Sequence, residues 1–245
     1  MTLLPLLGRG LLAGGAAGLL SGAFSWVFAE PVLDRAIALE AARRAAEGAP
    51  ESAEVFSRST QQAGLLFGTT VTGLAFGVLF AVVYAVLQRR RPEDRPWSLS
   101  LRLAGAAFLA VEFLPFLRYP GNPPGVGAPA TVSERANSWL AAIAISIVFV
   151  MAAWQLAGYL RRRGVPDPAR QFAVAGTVVI GLIVLFLLPD NPDPVTAPAT
   201  LVWQFRLLSL ASLGLLWTAL GAGFGLLGER ARPVVHRAPA RLAHS

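Results

Sequence analysis

Apolar residues are grouped into six long runs that polar segments separate. Each run approaches the roughly 20 residues that a helix needs to cross the hydrocarbon core of a bilayer. None shows the strict alternation of membrane β-strands, so each run predicts a transmembrane helix, whose backbone groups bond within the segment. The predicted spans are residues 10–29, 64–87, 99–117, 138–160, 172–188 and 207–228.

The composition supports this prediction. The chain is 55% hydrophobic and 14% charged, whereas roughly 25% of residues are charged in a soluble domain. We therefore predict an all-α integral membrane protein, with residues 1–229 as the membrane domain and residues 230–245 as a basic, disordered tail. A cleaved signal peptide is the alternative for the first run, because Ala29 follows it.

The arginines predict the orientation of the spans. All 21 basic residues are arginines; with six spans and an inner N-terminus, fourteen lie in inner segments and seven in outer ones. The inner loops are short, and for short loops the positive-inside rule is most reliable. We predict a multi-pass protein of the inner (plasma) membrane with both termini in the cytoplasm. The predicted topology explains the excess of positive charge, so the lipid bilayer is the expected partner and nucleic acid is not.

Two outer loops have nearly the same sequence. Residues 120–131 read PGNPPGVGAPAT and residues 189–200 read PDNPDPVTAPAT. We predict three hairpins, of which hairpins 2 and 3 form a parallel repeat, as is common in transporters; chance similarity in an Ala/Pro-rich chain is the alternative. The prolines predict stiff, non-helical lids. Thr131 and Glu134 match a capping box at the start of the fourth span.

The first outer loop differs from the other two. Residues 30–47 read EPVLDRAIALEAARRAAE and predict an amphipathic helix that begins near Pro31. This helix could lie on the membrane surface or cap the bundle.

Glycines at four-residue spacing predict close packing of the spans, because small residues let membrane helices approach each other. The pattern occurs in the first, second and sixth spans. The glycines are Gly10, Gly14, Gly18 and Gly22, then Gly64, Gly68, Gly73 and Gly77, and finally Gly221 and Gly225.

Nine of the fourteen acids fall on the predicted outer face, which would concentrate cations there; a solvated surface is the alternative. Carboxylate and amide oxygens suit hard or weakly selected cations. Arginines end the three outer loops and are candidates for structural ion pairs: Arg58, Arg135 and Arg206. The candidate metal ligands of this face are Asp190, Asn191, Asp193, Glu30, Asp34 and Asn122.

Glu112 is the one acid inside a predicted span. An ionisable residue in lipid is costly and therefore a functional candidate. Pro115 cannot donate to the carbonyl of Val111, so a free backbone oxygen would lie beside the carboxylate. The pair could hold a cation or a proton. The alternative is an ion pair between Glu112 and an arginine at the outer end, Arg118, Arg135 or Arg206.

The residues for common catalytic chemistry are missing or misplaced. The chain has no cysteine, and its two histidines lie within the last ten residues. The sequence contains no nucleotide-binding loop, catalytic triad or zinc motif. We therefore expect a protein that is not an enzyme and holds no cofactor.

Three strings carry a family resemblance: EPVLDRAIALE after the first span, FLRYPGNPPGVG after the third and LVWQFRLLSL at the sixth. They resemble the CbtA family, the predicted large subunit of cobalt transporters, along almost the whole chain. The resemblance implies a membrane subunit for cobalt uptake, linked to cobalamin synthesis, with a small histidine-bearing membrane partner, CbtB. The family often carries acids where this chain has Ala128 and Ala130, and a Glu after the Asn of the third loop.

The sequence therefore favours a transporter subunit for Co²⁺ or a similar divalent cation. Two alternatives are a non-transporting membrane scaffold that stabilises a partner and a permease for another small solute.

Overall fold

A computed structural model describes residues 3–48, 56–90 and 92–231 of the chain. These residues form helices and loops without a strand. Six helical segments are long and apolar enough to cross a membrane, which confirms the all-α membrane class. The elements are α1 (Leu3–Phe24), a first π-helix (Ser25–Ala29), α2 (Glu30–Ala46), α3 (Arg58–Arg90), α4 (Pro96–Ala107), a second π-helix (Phe108–Phe113), α5 (Leu114–Arg118), a 3-10 turn (Pro129–Thr131), α6 (Val132–Arg162), α7 (Asp167–Phe186) and α8 (Ala199–Arg230).

The first span continues far beyond its predicted end. Helix α1, the first π-helix and α2 form one helical segment of 44 residues, Leu3–Ala46. At 1.5 Å per residue this segment is about 66 Å long, twice the thickness of the hydrocarbon core. The amphipathic helix predicted for residues 30–47 is therefore a direct continuation of the first span. The predicted tail, residues 230–245, lies outside the described residues beyond position 231.

Helices α1 and α3 pack closely because glycines face glycines. A Cβ atom on Gly14 would lie 2.2 Å from the carbonyl oxygen of Gly73, and one on Gly10 would lie 2.2 Å from that of Gly77. The contact is reciprocal, since a Cβ atom on Gly77 would lie 2.1 Å from the carbonyl oxygen of Gly10. Backbone therefore touches backbone along this interface, as the glycine spacing predicts.

The other glycine pairs behave differently from one another. Gly221 and Gly225 of α8 face α4, and a Cβ atom on Gly221 would lie 2.5 Å from the Cβ atom of Ala104. Gly64 and Gly68 of α3 have no neighbouring atom within 4 Å at the Cβ position. The prediction of close packing is therefore wrong for this pair, which lies on the outward surface of α3.

Helices α1, α3, α4 and α8 enclose the main apolar core. Aromatic rings fill its centre: Phe80 and Tyr84 of α3 lie 5.1 and 4.8 Å from Phe224 of α8, measured between ring centroids. Arg9 lies inside α1 and is only 8% exposed. Its guanidinium carbon is 5.2 Å from the centroid of Phe224, so an aromatic face covers the charge in the core.

Helices α6 and α7 form a pair beside this core. They attach through the half of the third span that is nearer to the two repeated loops, which we call the outer half, where Leu114, Ala142 and Leu185 are buried together. Helix α7 packs on α6, whereas α8 packs on α1 and α4. The fifth and sixth spans thus have different helical neighbours, and the parallel repeat of hairpins 2 and 3 stays a prediction.

Two π-helices interrupt the spans, and a proline follows each of them closely. After the first π-helix comes Pro31, and after the second comes Pro115. In both, the first residue beyond the π-helix donates its N–H to the carbonyl five residues back. Proline then supplies no N–H, so the helix continues with one carbonyl oxygen lacking a helical donor. Both π-helices pack on α8.

Candidate functional site

The two repeated loops bond to each other at the outer end of the bundle. Arg118, before the first copy, forms an ion pair of 2.8 Å with Asp190 in the second copy. It also donates to the carbonyl oxygen of Leu188. The hydroxyl of Tyr119 donates to the carbonyl oxygen of Pro189 over 2.6 Å. The first residues of the two loops are thereby joined.

A second ion pair joins the far end of the first loop to the middle of the second copy. Arg135 Nε lies 3.1 Å from Asp193 Oδ2, and the Asp193 side chain is 7% exposed. The Thr131 hydroxyl lies 2.6 Å from the same carboxylate oxygen and 2.9 Å from the carbonyl of Ala128. Thr131 makes no side-chain capping bond to α6. The capping-box prediction is therefore wrong, because the Thr131 hydroxyl is hydrogen-bonded to the Asp193 carboxylate and to a loop carbonyl instead.

Arg206 of α8 also reaches the first copy. Its Nε donates to the carbonyl oxygen of Gly121 over 3.2 Å, and Nη2 donates to Asn122 Oδ1 over 2.8 Å. Within the second copy, Asn191 Oδ1 accepts the N–H of Asp193 over 3.2 Å. Both asparagine carbonyl oxygens therefore hold the loops in shape.

The two copies share sequence but differ in backbone. Gly125 and Gly127 have φ values of +79° and +104°, which favour glycine. The matching positions of the second copy are Pro194 and Thr196, and proline holds φ near −65°. The second copy therefore cannot adopt the turn of the first, so the predicted pair of lids is not duplicated in conformation.

Helix α2 covers both loops from one side. Val32 and Ala36 are buried against Leu201 at the start of α8, and Arg43 donates to the Thr196 hydroxyl over 2.7 Å. Leu39 remains 46% exposed. These contacts match the bundle-capping alternative for the amphipathic helix.

Arg58, at the start of α3, binds two acids of α2. Its Nη2 lies 2.9 Å from Glu30 Oε1 and also contacts Asp34 Oδ1. The Glu30 side chain is 7% exposed, whereas that of Asp34 is 56% exposed. These ion pairs hold the first turns of α2 against the start of α3. The chain between the two helices includes residues 49–55, which lie outside the described structure.

We expect Asp193→Asn to lower the stability of the outer end more than Asp190→Asn. Removing the charge of Asp193 leaves Arg135 partly buried without its anion, which costs about 1–3 kcal/mol. The Asp193 carboxylate is itself 7% exposed and also binds Thr131. The Asp190 carboxylate is 92% exposed, so water solvates its charge, and Arg118, although only 11% exposed, keeps its hydrogen bond to the Leu188 carbonyl oxygen when Asp190 is neutral. Thermal unfolding of the two purified variants in one detergent measures the difference. Equal losses in both variants would contradict this assignment.

Glu112 lies in the second π-helix and forms no ion pair with any described residue. The arginines considered as its partners bind elsewhere: Arg118 binds Asp190, Arg135 binds Asp193, and Arg206 binds Asn122. The Glu112 carboxylate is beside the indole of Trp217 on α8. Trp217 Nε1 is buried and makes no hydrogen bond of normal geometry with the described residues.

Three serines, which the sequence analysis does not single out, meet between α1 and α8 in the outer half of the bundle. Ser212 Oγ lies 2.7 Å from Ser25 Oγ and 2.8 Å from Ser21 Oγ. All three are buried. Ser25 begins the first π-helix, so a polar cluster lies beside the backbone irregularity there. The spacing of Ser21 and Ser25, one helical turn apart in an apolar run, is the sequence signal that indicates it.

Ser212→Ala should weaken the contact between α1 and α8 by about 0.5–2 kcal/mol, the range for interhelical side-chain hydrogen bonds in membranes. Ser209→Ala is the matched control, because its hydroxyl bonds only to the Phe205 carbonyl in its own helix. Melting of the purified variants checks the difference. If both melt together, the serine cluster does not stabilise this interface.

The described residues contain no group of three or more His, Cys, Asp or Glu side chains that could hold a metal ion. Four of the acids proposed as ligands bind arginines instead: Glu30, Asp34, Asp190 and Asp193. A cation at the outer face would therefore compete with guanidinium groups. Glu112 lies apart from these four, within the third span.

A protein-family model described as probable cobalt transporter subunit (CbtA) matches residues 4–229. The match covers nearly the whole chain, including all six spans and both repeated loops. Neither a curated protein nor a solved structure matches the chain.

Proposed function

Because the chain belongs to the CbtA family of probable cobalt transporter subunits, we propose that it is the membrane-embedded subunit of an uptake system for Co²⁺ or a similar divalent cation. It is a multi-pass membrane protein by its six apolar helices. The arginine distribution supports an inner-membrane location with cytoplasmic termini. Membership of a transporter-subunit family favours a protein that is not an enzyme.

The position and surroundings of Glu112 are the main support for this proposal. It is the acid within the membrane interior, it has no arginine partner among the described residues, and it lies in a π-helix. Pro115 removes one N–H from this turn, so the carboxylate and a carbonyl oxygen offer two hard ligands to a cation that has lost part of its water. π-Helices occur frequently at functional sites. We propose that the cation passes Glu112 during transport.

The outer acids divide into two groups by exposure. Asp34 and Asp190 have side chains 56% and 92% exposed, and Asn191 is exposed as well. We propose that these three residues meet the hydrated cation first. Glu30 and Asp193 are 7% exposed, and, with Asn122, they act chiefly by holding the loops in the shape that forms the entrance.

A small histidine-bearing membrane subunit completes the proposed system. The family description of a subunit implies a partner. A transition metal is bound tightly by imidazole or thiolate ligands, and the described part of this chain offers no cluster of such groups. The partner would supply imidazoles, while this chain provides the oxygen ligands and the passage.

Deletion of the gene in cobalt-limited cells tests the proposal. We expect uptake of radioactive cobalt to fall and to recover when the full chain is restored together with its partner. Uptake unchanged by the deletion would refute the assignment. Competition by unlabelled Mg²⁺ and Ni²⁺ in the same assay shows which cation is preferred.

The second candidate function is a non-transporting scaffold for a partner subunit. The observation that favours it is the set of ion pairs and hydrogen bonds that joins the repeated loops, because fixed loops suit docking. In that case Glu112→Gln would reduce partner binding or stability and leave the rate of uptake per complex unchanged.

A further inference from the structure

A groove of about 430 Å³ lies between α4, α6 and α7, and neither Glu112 nor any residue of the repeated loops lines it. Its walls are apolar and include Leu109 at the start of the second π-helix, Val150 of α6 and Val178 of α7. At its other end are three arginines from three different helices: Arg102, Arg161 and Arg170. The groove therefore combines an apolar trough with a basic mouth.

The length of the trough matches one leaflet of a bilayer. Val150 and Arg161 both line it and are eleven residues apart on α6, which is about 16 Å of helix. Half of the hydrocarbon core is about 15 Å thick. The trough thus runs from the level of the headgroups, at the arginine-rich end of the bundle, to the middle of the membrane.

The mouth carries more positive than negative charge. Arg102 forms an ion pair of 2.8 Å with Asp94, and Arg170 one of 2.7 Å with Asp167. Arg161 forms no ion pair among the described residues and is exposed. Its neighbours Arg162 and Arg163 lie at the same helix end but do not line the groove. An anion at the mouth would therefore meet one unpaired guanidinium and two that are partly neutralised.

We propose that this groove binds one anionic phospholipid of the leaflet at the arginine-rich end. The phosphate lies at Arg161, within reach of Arg102 and Arg170, and one acyl chain fills the trough. Basic pockets between transmembrane helices recognise anionic headgroups in this way. A partner helix fits less well, because it would have to place an acidic group at the level of Arg161, whereas every anionic phospholipid carries its phosphate there.

Lipid retention by the purified full-length chain tests the proposal. The chain is exchanged into detergent with an equal mixture of phosphatidylglycerol and phosphatidylcholine, and bound lipid is counted by native mass spectrometry. We expect phosphatidylglycerol to be retained preferentially. Arg161→Gln should reduce its retention about fivefold, the effect of losing one basic residue near an anionic headgroup.

Arg163→Gln is the matched control for charge. Arg163 comes two residues later, stacks over the Tyr159 ring at 5.3 Å and does not line the groove, so this variant should bind lipid like the wild type. Ala157→Leu narrows the trough and leaves the arginines in place. It should lower retention of phosphatidylglycerol while the melting temperature stays near that of the wild type.

Several outcomes would overturn the proposal. Equal retention by the Arg161→Gln and Arg163→Gln variants would show that the mouth does not bind the headgroup. Displacement of the bound lipid by inorganic phosphate would indicate a simple anion site. Preference for phosphatidylcholine, or full retention by Ala157→Leu, would show that the lipid lies elsewhere. If a protein were bound in the groove and no lipid were found there, the natural occupant would be a partner helix and not a phospholipid.

Discussion

Gly14→Ala is expected to destabilise the purified chain strongly, whereas Gly68→Ala should leave it unchanged or slightly more stable. Both glycines lie in transmembrane helices and both changes add one methyl group. At Gly14 the new Cβ atom would lie 2.2 Å from the carbonyl oxygen of Gly73 and 2.9 Å from the Cα atom of Gly77. These atoms belong to the backbone, so relief requires that α1 and α3 move apart.

Separating these helices lowers the free energy of unfolding by more than the steric clash at Gly14 alone would. Helices α1 and α3 have the most extensive close backbone contact of any described pair of helices, and α1 also packs on α8. Overpacking typically costs about 1–3 kcal/mol, and here the helices would also lose van der Waals contact along several turns. At Gly68 no atom lies within 4 Å of the Cβ position, and alanine is the better helix former by up to about 1 kcal/mol.

Thermal melting in one detergent, followed by size-exclusion chromatography, measures both glycine variants. The expected order is Gly68→Ala equal to or above the wild type, and Gly14→Ala well below it or lost during purification. Gly73→Ala should behave like Gly14→Ala, because it faces the carbonyl oxygen of Gly14 at 2.3 Å. If Gly14→Ala melted with the wild type, the described contact between α1 and α3 would be wrong.

Glu112→Gln is expected to lower cobalt uptake about tenfold or more while the protein remains in the membrane. Glutamine keeps the size of the side chain and removes its charge. A charged group contributes roughly 1.5–3 kcal/mol to a polar contact, and about 1.4 kcal/mol is a factor of ten. Because no described residue forms an ion pair with Glu112, the substitution leaves no arginine without its partner, so we expect little loss of stability.

Glu134→Gln is the matched control for Glu112→Gln. Glu134 is exposed in the first turn of α6, outside the apolar part of the span, so its charge does not enter the proposed passage. We expect uptake within about twofold of the wild type for this variant, since substitutions at exposed sites have small effects. Uptake per membrane-inserted molecule is compared for the two variants. Equal uptake in both would remove Glu112 from the passage and favour the scaffold.

The sequence predicts the membrane class and the number of long apolar helices well, because length and apolarity alone decide whether a segment can cross a bilayer. The glycine contacts in α1 and α8 follow from a local spacing. The same spacing misleads at Gly64 and Gly68, since a small residue permits close approach but does not supply the neighbour. Which face of α3 meets α1 is decided by packing along the whole helix.

The contacts of the outer face lie beyond what local patterns indicate. The acids of the third outer loop resemble a cluster of metal ligands in sequence, yet Asp190 and Asp193 bind arginines that are more than fifty residues away in the chain. Pro31 suggests the start of a new helix, whereas a π-helix carries α1 through to α2 without a break. The resemblance of the two loops likewise does not reveal that Gly125 adopts a backbone conformation that Pro194 cannot.

Cobalt influx into sealed membrane vesicles tests the central claim most directly. Right-side-out vesicles are prepared from cells that carry the wild-type chain with its partner, the Glu112→Gln chain with its partner, or neither. The account predicts initial influx that requires the wild-type chain and falls about tenfold or more in Glu112→Gln vesicles that hold equal amounts of both proteins. Influx that is the same in all three preparations would contradict it.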